Sequence, residues 1–243
     1  MLNKDFILEQ IEKHCTLDTR LCEETFYSMV VEPLECSDLG EFDYDSGATK
    51  GVLVFDELDY VIKIPFYCEY YEGYSDWDDE TEEWVEVEEG GPSEEPFSGV
   101  EVEGFVHHNP WDYCETEQYR YQVAERYGVE EYFAKTWFLG KVNGWPIYAQ
   151  VKANMFCSQS SYESRSKREY SEKEKESANT VKKSTGFYLD TEWVIDFLNY
   201  FNEAKYIALA NFCEEWDIED LHNGNIGYVN GAPCIVDYSS YEC

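Results

Sequence analysis

The sequence predicts a mixed α+β fold in which a β-rich region precedes a mostly helical one. Strand-like alternation begins at Phe42 and continues into a hairpin formed by residues 51–55 and 59–64. Apolar residues then recur at helical spacing from Asp190 to Trp216. Residues 226–236 form two short strands around Asn230-Gly231, a strong short-range hairpin signal. These observations together indicate an α+β class.

Size and charge limit the possible functions. The 243 residues suit one domain or two small lobes, and the formal net charge is −34, with 52 acidic against 18 basic residues. Such a surface repels nucleic-acid phosphate and anionic membranes and attracts basic protein partners. No apolar run reaches the roughly 18 residues of a membrane helix, and no leader precedes the first helix. We therefore expect a soluble, cytoplasmic protein whose nine scattered cysteines remain reduced.

The elements before residue 152 follow from local patterns. Residues 3–35 have helical periodicity, and Asp112–Tyr127 predicts a helix that ends at Gly128. Strands are expected over 133–139 and 145–151. A turn of small residues, Ser46 to Gly51, lies between two strands just before the first hairpin.

Two segments have unusual composition. Residues 66–111 are strongly acidic, and no Lys or Arg occurs between Lys63 and Arg120. The Trp and Val residues of this acidic insertion predict an ordered insertion with a short hairpin, and the alternative is a charged, self-repelling loop. Contact between the insertion and a basic partner is a separate hypothesis. Residues 158–185 are rich in Ser and Lys/Arg and predict a mobile linker or a solvated helix.

The residues with the clearest chemistry lie near the second hairpin. Asp220-Leu221-His222-Asn223-Gly224-Asn225 precedes it, and Val236-Asp237-Tyr238 follows it. An acid, an amide five positions later and a second acid beyond a hairpin deliver three oxygen donors to one end of that hairpin. This arrangement suits a substrate hydroxyl and Mg²⁺ in phosphoryl transfer.

The order of these motifs resembles the protein-kinase-like superfamily. Tyr60-Val61-Ile62-Lys63-Ile64, Asp220 to Ile226 and Val236-Asp237-Tyr238 carry the resemblance, over roughly residues 40–240. The chain is most similar to compact serine/threonine kinases encoded by bacteriophages, which would place it in a bacterial host cytoplasm. The resemblance implies a bilobal fold: an N-terminal helical segment (1–39), a β-rich N-lobe (40–151) with the acidic insertion, and a reduced, mostly helical C-lobe (152–243).

The resemblance also implies a role for each motif residue. Lys63 would contact the α- and β-phosphates of ATP, and Glu117 or Glu115 would hold it, with Glu117 favoured because Tyr121 and Ala124 share its face. Asp220 would orient the substrate hydroxyl, and Asn225 and Asp237 would coordinate Mg²⁺. His222 would be a structural hydrogen-bonding residue. The remaining nucleotide contacts would come from Ser46, Gly47, Ala48, Thr49, Val54, Gln150 and Val151, with Ile226 or Ile235 beneath the adenine.

The sequence departs from common protein kinases in three places. Ile218 and Glu219 replace the His-Arg pair before the first Asp, Tyr238-Ser239 replaces Phe-Gly, and only six residues follow Asp237. The favoured function is nevertheless MgATP-dependent phosphorylation of Ser/Thr in a protein, with the Ser-rich segment as a candidate acceptor. The alternative is a catalytically weak or dead acidic protein that binds and inhibits a basic, nucleic-acid-binding partner. A small-molecule kinase of the aminoglycoside or choline type is a third option.

Overall fold

A computed structural model describes residues 2–71, 74–78, 83–86, 100–101, 105–108, 112–155, 170–187 and 189–239. For the strands between residues 68 and 108 it describes the backbone alone. The α+β class predicted from the sequence is confirmed. The helices are α1 (Lys4–His14), α2 (Glu23–Phe26), α3 (Glu32–Glu35), α4 (Tyr113–Tyr127), α5 (Glu172–Thr185), α6 (Thr191–Tyr200) and α7 (Glu203–Glu215). A π-helical turn, Tyr27–Val31, joins α2 to α3, and 3₁₀ turns span Glu130–Tyr132 and Asn223–Asn225.

The main sheet has five antiparallel strands in the order β1-β2-β3-β10-β9. These are β1 (Asp43–Gly47), β2 (Lys50–Val54), β3 (Tyr60–Pro65), β9 (Thr136–Val142) and β10 (Trp145–Val151). A second sheet joins β11 (Asn154–Met155), β12 (Ile226–Val229) and β13 (Ala232–Ile235). Asn230 and Gly231 have φ of 52° and 84°, so the predicted Asn-Gly hairpin turn is present.

Two small sheets lie within the acidic insertion. They comprise β4 (Cys68–Tyr71) with β8 (Phe105–His108), and β5 (Tyr74–Asp78) with β6 (Glu83–Glu86) and β7 (Val100–Glu101). The described backbone therefore contains paired strands in this insertion, as predicted for an ordered insertion. Residues 72–73, 79–82, 87–99, 102–104 and 109–111 of the insertion lie outside the described residues. So do residues 156–169, which include the first part of the Ser-rich segment.

The predicted helix over Asp190–Trp216 is two helices, and this prediction was wrong. Asn202 adopts φ of 112° between α6 and α7, and its side-chain oxygen accepts a hydrogen bond from the Lys205 backbone N–H at 3.1 Å. This N-cap satisfies a backbone donor of α7. Both halves have helical periodicity, which concealed the break. The Lys-rich α5 is a helix from Glu172, with Ala178 and Val181 buried and a capping box at Ser171.

The hydrophobic interior forms two principal clusters. The first lies among the C-terminal half of α4, α5, α6, α7 and the β12–β13 hairpin, with Trp193, Phe197, Tyr206 and Phe212 fully or almost fully buried. The second lies between the N-terminal helices and one face of the main sheet. The first 39 residues are therefore packed onto the sheet, since their apolar side chains (Ile7, Ile11, Leu21, Phe26, Val30, Val31, Leu34) belong to the same cluster as those of the strands.

Gly51 marks the closest approach between the N-terminal helices and β2. A Cβ at this position would lie 2.2 Å from the ring of the buried Phe26. We expect Gly51→Ala to lower the free energy of unfolding by about 1–3 kcal/mol, because the ring or the strand must shift. Denaturant unfolding measures this change. Gly47→Ala is the control, because a Cβ there meets no atom within 4 Å; equal losses in the two variants would contradict the packing argument.

Six cysteines lie in the part of the chain with described side chains, and all six are free thiols. Five are buried, and only Cys36 is exposed. Burial raises the pKa of Cys15 and of Cys234 to about 12, so neither thiol ionises near neutral pH. None of the helices in the described residues combines the length and apolar character needed to cross a bilayer.

Candidate functional site

A cleft of about 990 Å³ lies between the main sheet and the β12–β13 hairpin. The β1–β2 turn borders it on one side, and the segments before and after the hairpin border it on the other. Sequence positions far apart in the chain therefore meet here. The predicted residues that line it are Ser46, Gly47, Ala48, Thr49, Val54, Lys63, Gln150, Val151, Asp220, Asn225 and Asp237.

A buried ion pair joins the main sheet to α4. The Lys63 ammonium, on β3, donates to Glu117 Oε2 at 2.8 Å and to Oε1 at 3.0 Å. Glu117 is fully buried and Lys63 is 4% exposed. The structure thus pairs Lys63 with Glu117, as favoured from helical periodicity. Glu115 lies on the exposed face of α4, away from Lys63, so its assignment as the partner was wrong; two residues of helix rotate it about 200° from Glu117.

Helix α4 is fixed in position at both ends. Asp112 caps its N-terminus by accepting from the Glu115 backbone N–H at 2.9 Å, and Gly128 ends it in the left-handed conformation. The buried face carries Glu117 together with Val123 and Ala124. Folding of this helix against the sheet therefore delivers the carboxylate to the lysine.

Glu117 also accepts hydrogen bonds from neutral groups. Thr136 Oγ1 donates to Oε2 at 3.0 Å, and Gln150 Nε2 lies 3.3 Å from the same oxygen. Gln150 Nε2 donates to the Val236 carbonyl at 2.7 Å. The side chain of Gln150 therefore belongs to the polar network around Glu117. The sequence had predicted only a contact between the Gln150 backbone and adenine.

A second lysine, absent from the sequence-based site, completes the charge cluster. Lys50 begins β2, is 6% exposed, and donates to Glu117 Oε1 at 2.8 Å. Its ammonium also lies 2.9 Å from Asp237 Oδ2 and 3.2 Å from Ser239 Oγ. Two ammonium groups thus face one buried and one partly exposed carboxylate, and the formal charges cancel.

The pairing of β2 with β3 indicates that Lys50 belongs to the site. Lys50 pairs with Pro65 and Val52 with Lys63, so the two lysines are diagonal neighbours on one face of an antiparallel pair. Diagonal positions lie within reach of long side chains. Alternation also puts Lys50 on the same face as Val54, which the sequence assigned to the cleft.

Asp237 is ionised at neutral pH. Burial opposes its ionisation, but Lys50 and Lys63 outweigh that effect and hold the pKa of this carboxyl well below its usual range. Burial likewise disfavours the charged form of Lys50, and the nearby Asp237 and Glu117 carboxylates outweigh it and raise the Lys50 pKa. The segment after Asp237 is anchored by Arg120, which donates to the Tyr238 carbonyl at 2.7 Å.

Asp220 and Asn225 face the cleft from a short turn. Asn225 Nδ2 donates to the Asp220 carbonyl at 2.7 Å and lies 3.3 Å from Asp220 Oδ2. His222 Nδ1 accepts from the Gly224 backbone N–H at 2.9 Å, consistent with the structural role predicted for this side chain. Trp193 Nε1 of α6 donates to Asn223 Oδ1 at 2.8 Å. The turn is therefore held both internally and by the helical region.

The oxygen atoms near the hairpin fit a hard divalent cation. The amide nitrogen of Asn225 is committed to Asp220, which leaves its Oδ1 as the atom able to coordinate, and Asp237 supplies a carboxylate. Mg²⁺ is commonly bound by one or two protein oxygens together with substrate phosphates and waters. Across the described residues, no group of three or more His, Cys, Asp or Glu could hold a metal by itself.

Part of the cleft lining is apolar. Val52, Val54 and Val61 line it from the sheet, and Met155 lines it from β11. Ile226 and Ile235 were expected beneath a nucleotide base, but both are fully buried in the helical cluster and do not border the cleft. Their side chains point into the core because hairpin residues alternate between its two faces.

The chain was compared with protein-family models, with curated proteins and with solved structures, and no match was found.

Proposed function

We propose that this protein is an ATP- and Mg²⁺-dependent phosphotransferase with a protein-kinase-like fold, acting on Ser/Thr hydroxyls of a protein. The observation that carries the proposal is the buried Lys63–Glu117 pair, which lies beside Asp237 in a cleft that Asp220 and Asn225 also line. The charges and oxygen donors that phosphoryl transfer requires are thus gathered from four separate parts of the chain.

The arrangement of the two hydrophobic clusters supports a bilobal organisation. One cluster backs the five-stranded sheet, and the other lies within the helical region, with the cleft between them. A helix that crosses from the helical cluster to the sheet, α4, brings Glu117 to the cleft. This is the placement expected of a nucleotide cleft between a β-rich lobe and a helical lobe.

The cleft lining offers surfaces that match both parts of ATP. The apolar surface of Val52, Val54, Val61 and Met155 suits adenine, and the Ala48-Thr49 turn can offer backbone N–H groups to phosphate. Lys50 and Lys63 supply positive charge on the Asp237 side of the cleft. A triphosphate would thus run from the valines toward Asp237.

Catalysis would rest mainly on positioning and on electrostatics. Asp220, whose carboxylate is 58% exposed, would accept the proton of the acceptor hydroxyl. Asn225 and Asp237 would hold Mg²⁺, which supplies neutralisation of the phosphate charge. The ordered turn keeps Asp220 and Asn225 at a fixed separation, so the acceptor and the phosphates would meet in one geometry.

Thermal unfolding with and without MgATP tests the nucleotide site. At a hundredfold excess over the dissociation constant, we expect about 2.7 kcal/mol of stabilisation in the natural protein. Removal of Mg²⁺ with EDTA, or the substitution Asp237→Asn, should abolish most of it, because both remove the neutralising cation. Asp220→Asn should keep the shift, since that carboxylate faces the acceptor.

The absence of any shift at millimolar MgATP would contradict the proposed function. The alternative function would then be favoured, in which the acidic protein, with its net charge of −34, binds a basic protein partner. If the shift is present, mass spectrometry after incubation with MgATP should locate the phosphoacceptor, with the serines of residues 158–184 as the first positions to inspect.

A further inference from the structure

The hydrogen bonds of the two buried lysines differ in one respect. The three Lys63 donors are satisfied by both oxygens of Glu117 and by the Val236 carbonyl, which lies 3.2 Å away. Glu117 is fully buried, so these partners belong to the protein interior. An ammonium group has only three protons to donate. Lys63 would therefore have to abandon a buried partner in order to reach a ligand.

Lys50 is placed differently. It shares Glu117 with Lys63, but its other partners are Asp237 and Ser239, both on the segment that lines the cleft. The Asp237 side chain is 31% exposed, against 0% for Glu117. A phosphate that enters the cleft can compete with a partly solvated carboxylate for the Lys50 ammonium without opening the core.

Lys50 also lies next to the turn expected to cover the phosphates. Ala48 and Thr49 form the β1–β2 turn, and Lys50 is the first residue of the strand that follows. The Thr49 carbonyl accepts from the Phe66 backbone N–H at 2.9 Å, which ties this turn to the end of β3. The Lys50 side chain therefore starts at the end of this turn and reaches Glu117 and Asp237.

We infer that Lys50 is the lysine that contacts the nucleotide phosphates, and that Lys63 is a positioning residue that holds Glu117 and the Val236 carbonyl. The inference rests on the proposed nucleotide site and changes the role that the sequence gave to Lys63. Lys63 alone was expected both to contact the phosphates and to hold the helix. The inference assigns the phosphate contact to Lys50 and leaves the helix contact with Lys63.

The matched variants Lys50→Met and Lys63→Met test this division by binding. The probes are ATP with Mg²⁺ and adenosine, which lacks phosphate. We expect Lys50→Met to weaken MgATP binding by about 10- to 100-fold while adenosine binding is unchanged, as for the loss of a hydrogen bond to a charged group. Lys63→Met should lower the melting temperature in the absence of ligand, with a smaller loss of MgATP affinity. The reverse pattern would overturn the assignment.

A labelling experiment on the natural protein avoids any effect of substitution on folding. An acyl-phosphate derivative of ATP transfers its acyl group to a lysine near the phosphates: the ammonium loses a proton to water, the Nζ–acyl bond forms, the acyl–oxygen bond breaks, ATP leaves, and a second proton is released as the amide forms. Peptide mass spectrometry should find the label on Lys50, and excess ATP should prevent it. A label on Lys63 instead, or on neither lysine, would overturn the inference.

The two proposals fail in distinguishable ways. If the natural protein binds neither MgATP nor adenosine, the nucleotide site itself is wrong. If it binds both and Lys50→Met binds MgATP normally, only the role of Lys50 is wrong.

Discussion

Replacing Glu117 by glutamine is expected to lower the free energy of unfolding by about 3–5 kcal/mol. The side chain keeps its size, so the change removes charge and leaves the packing almost unaltered. Lys50 and Lys63 would then be buried with Asp237 as the remaining carboxylate of the cluster. Urea unfolding followed by circular dichroism measures the loss.

A control for this substitution lies two residues away on the same helix. Glu115→Gln removes the same charge from an exposed position, and we expect a change within about 0.5 kcal/mol. Adding Lys63→Met to Glu117→Gln should cost less than the sum of the two single losses, because the double variant has one fewer unpaired ammonium. Additive losses, or equal losses for Glu115→Gln and Glu117→Gln, would show that the ion pair does not stabilise the fold as argued.

Replacing Asp220 by asparagine is expected to reduce phosphoryl transfer by about 10²- to 10⁴-fold, the usual contribution of a positioned general base. The Asn225 side chain would keep its strongest bond in this turn, because it donates to the backbone carbonyl of residue 220. Transfer is measured as phosphate incorporated into the protein from radiolabelled ATP, together with release of inorganic phosphate to water.

The Asp220→Asn variant must be tested for MgATP binding as well as for phosphoryl transfer. The stabilisation by MgATP should be unchanged in Asp220→Asn, so that the loss lies in the chemical step. Glu214→Gln, an exposed charge change on α7 outside the cleft, serves as the control and should transfer at the natural rate. Full activity of Asp220→Asn would remove this residue from the mechanism.

Local signals predicted much of the architecture. The Asn230-Gly231 hairpin and helix α4, with its Asp112 cap and Gly128 terminator, were found within one residue of their expected positions. Each depends on backbone preferences that neighbouring residues determine. The Lys63–Glu117 contact followed because helical periodicity identified which of the two acidic residues shares the buried face.

Features that depend on tertiary packing were not predicted. Lys50 was assigned to a turn, and only the β2–β3 register shows that its ammonium reaches the same carboxylate as Lys63. The break at Asn202 gave no signal, since periodicity is helical on both sides of it. Ile226 and Ile235 were expected under the base because they flank the motif, but strand alternation turns them into the core.

Strand β2 has a different partner on each face. Gly51 and Leu53 face the N-terminal helices, while Lys50, Val52 and Val54 border the cleft. The helices therefore lie one strand thickness from the cleft, although none of their residues lines it. Because one strand serves both surfaces, a change in the packing of Phe26 against Gly51 would also shift Lys50. The first 39 residues are thus part of the folded unit that builds the cleft.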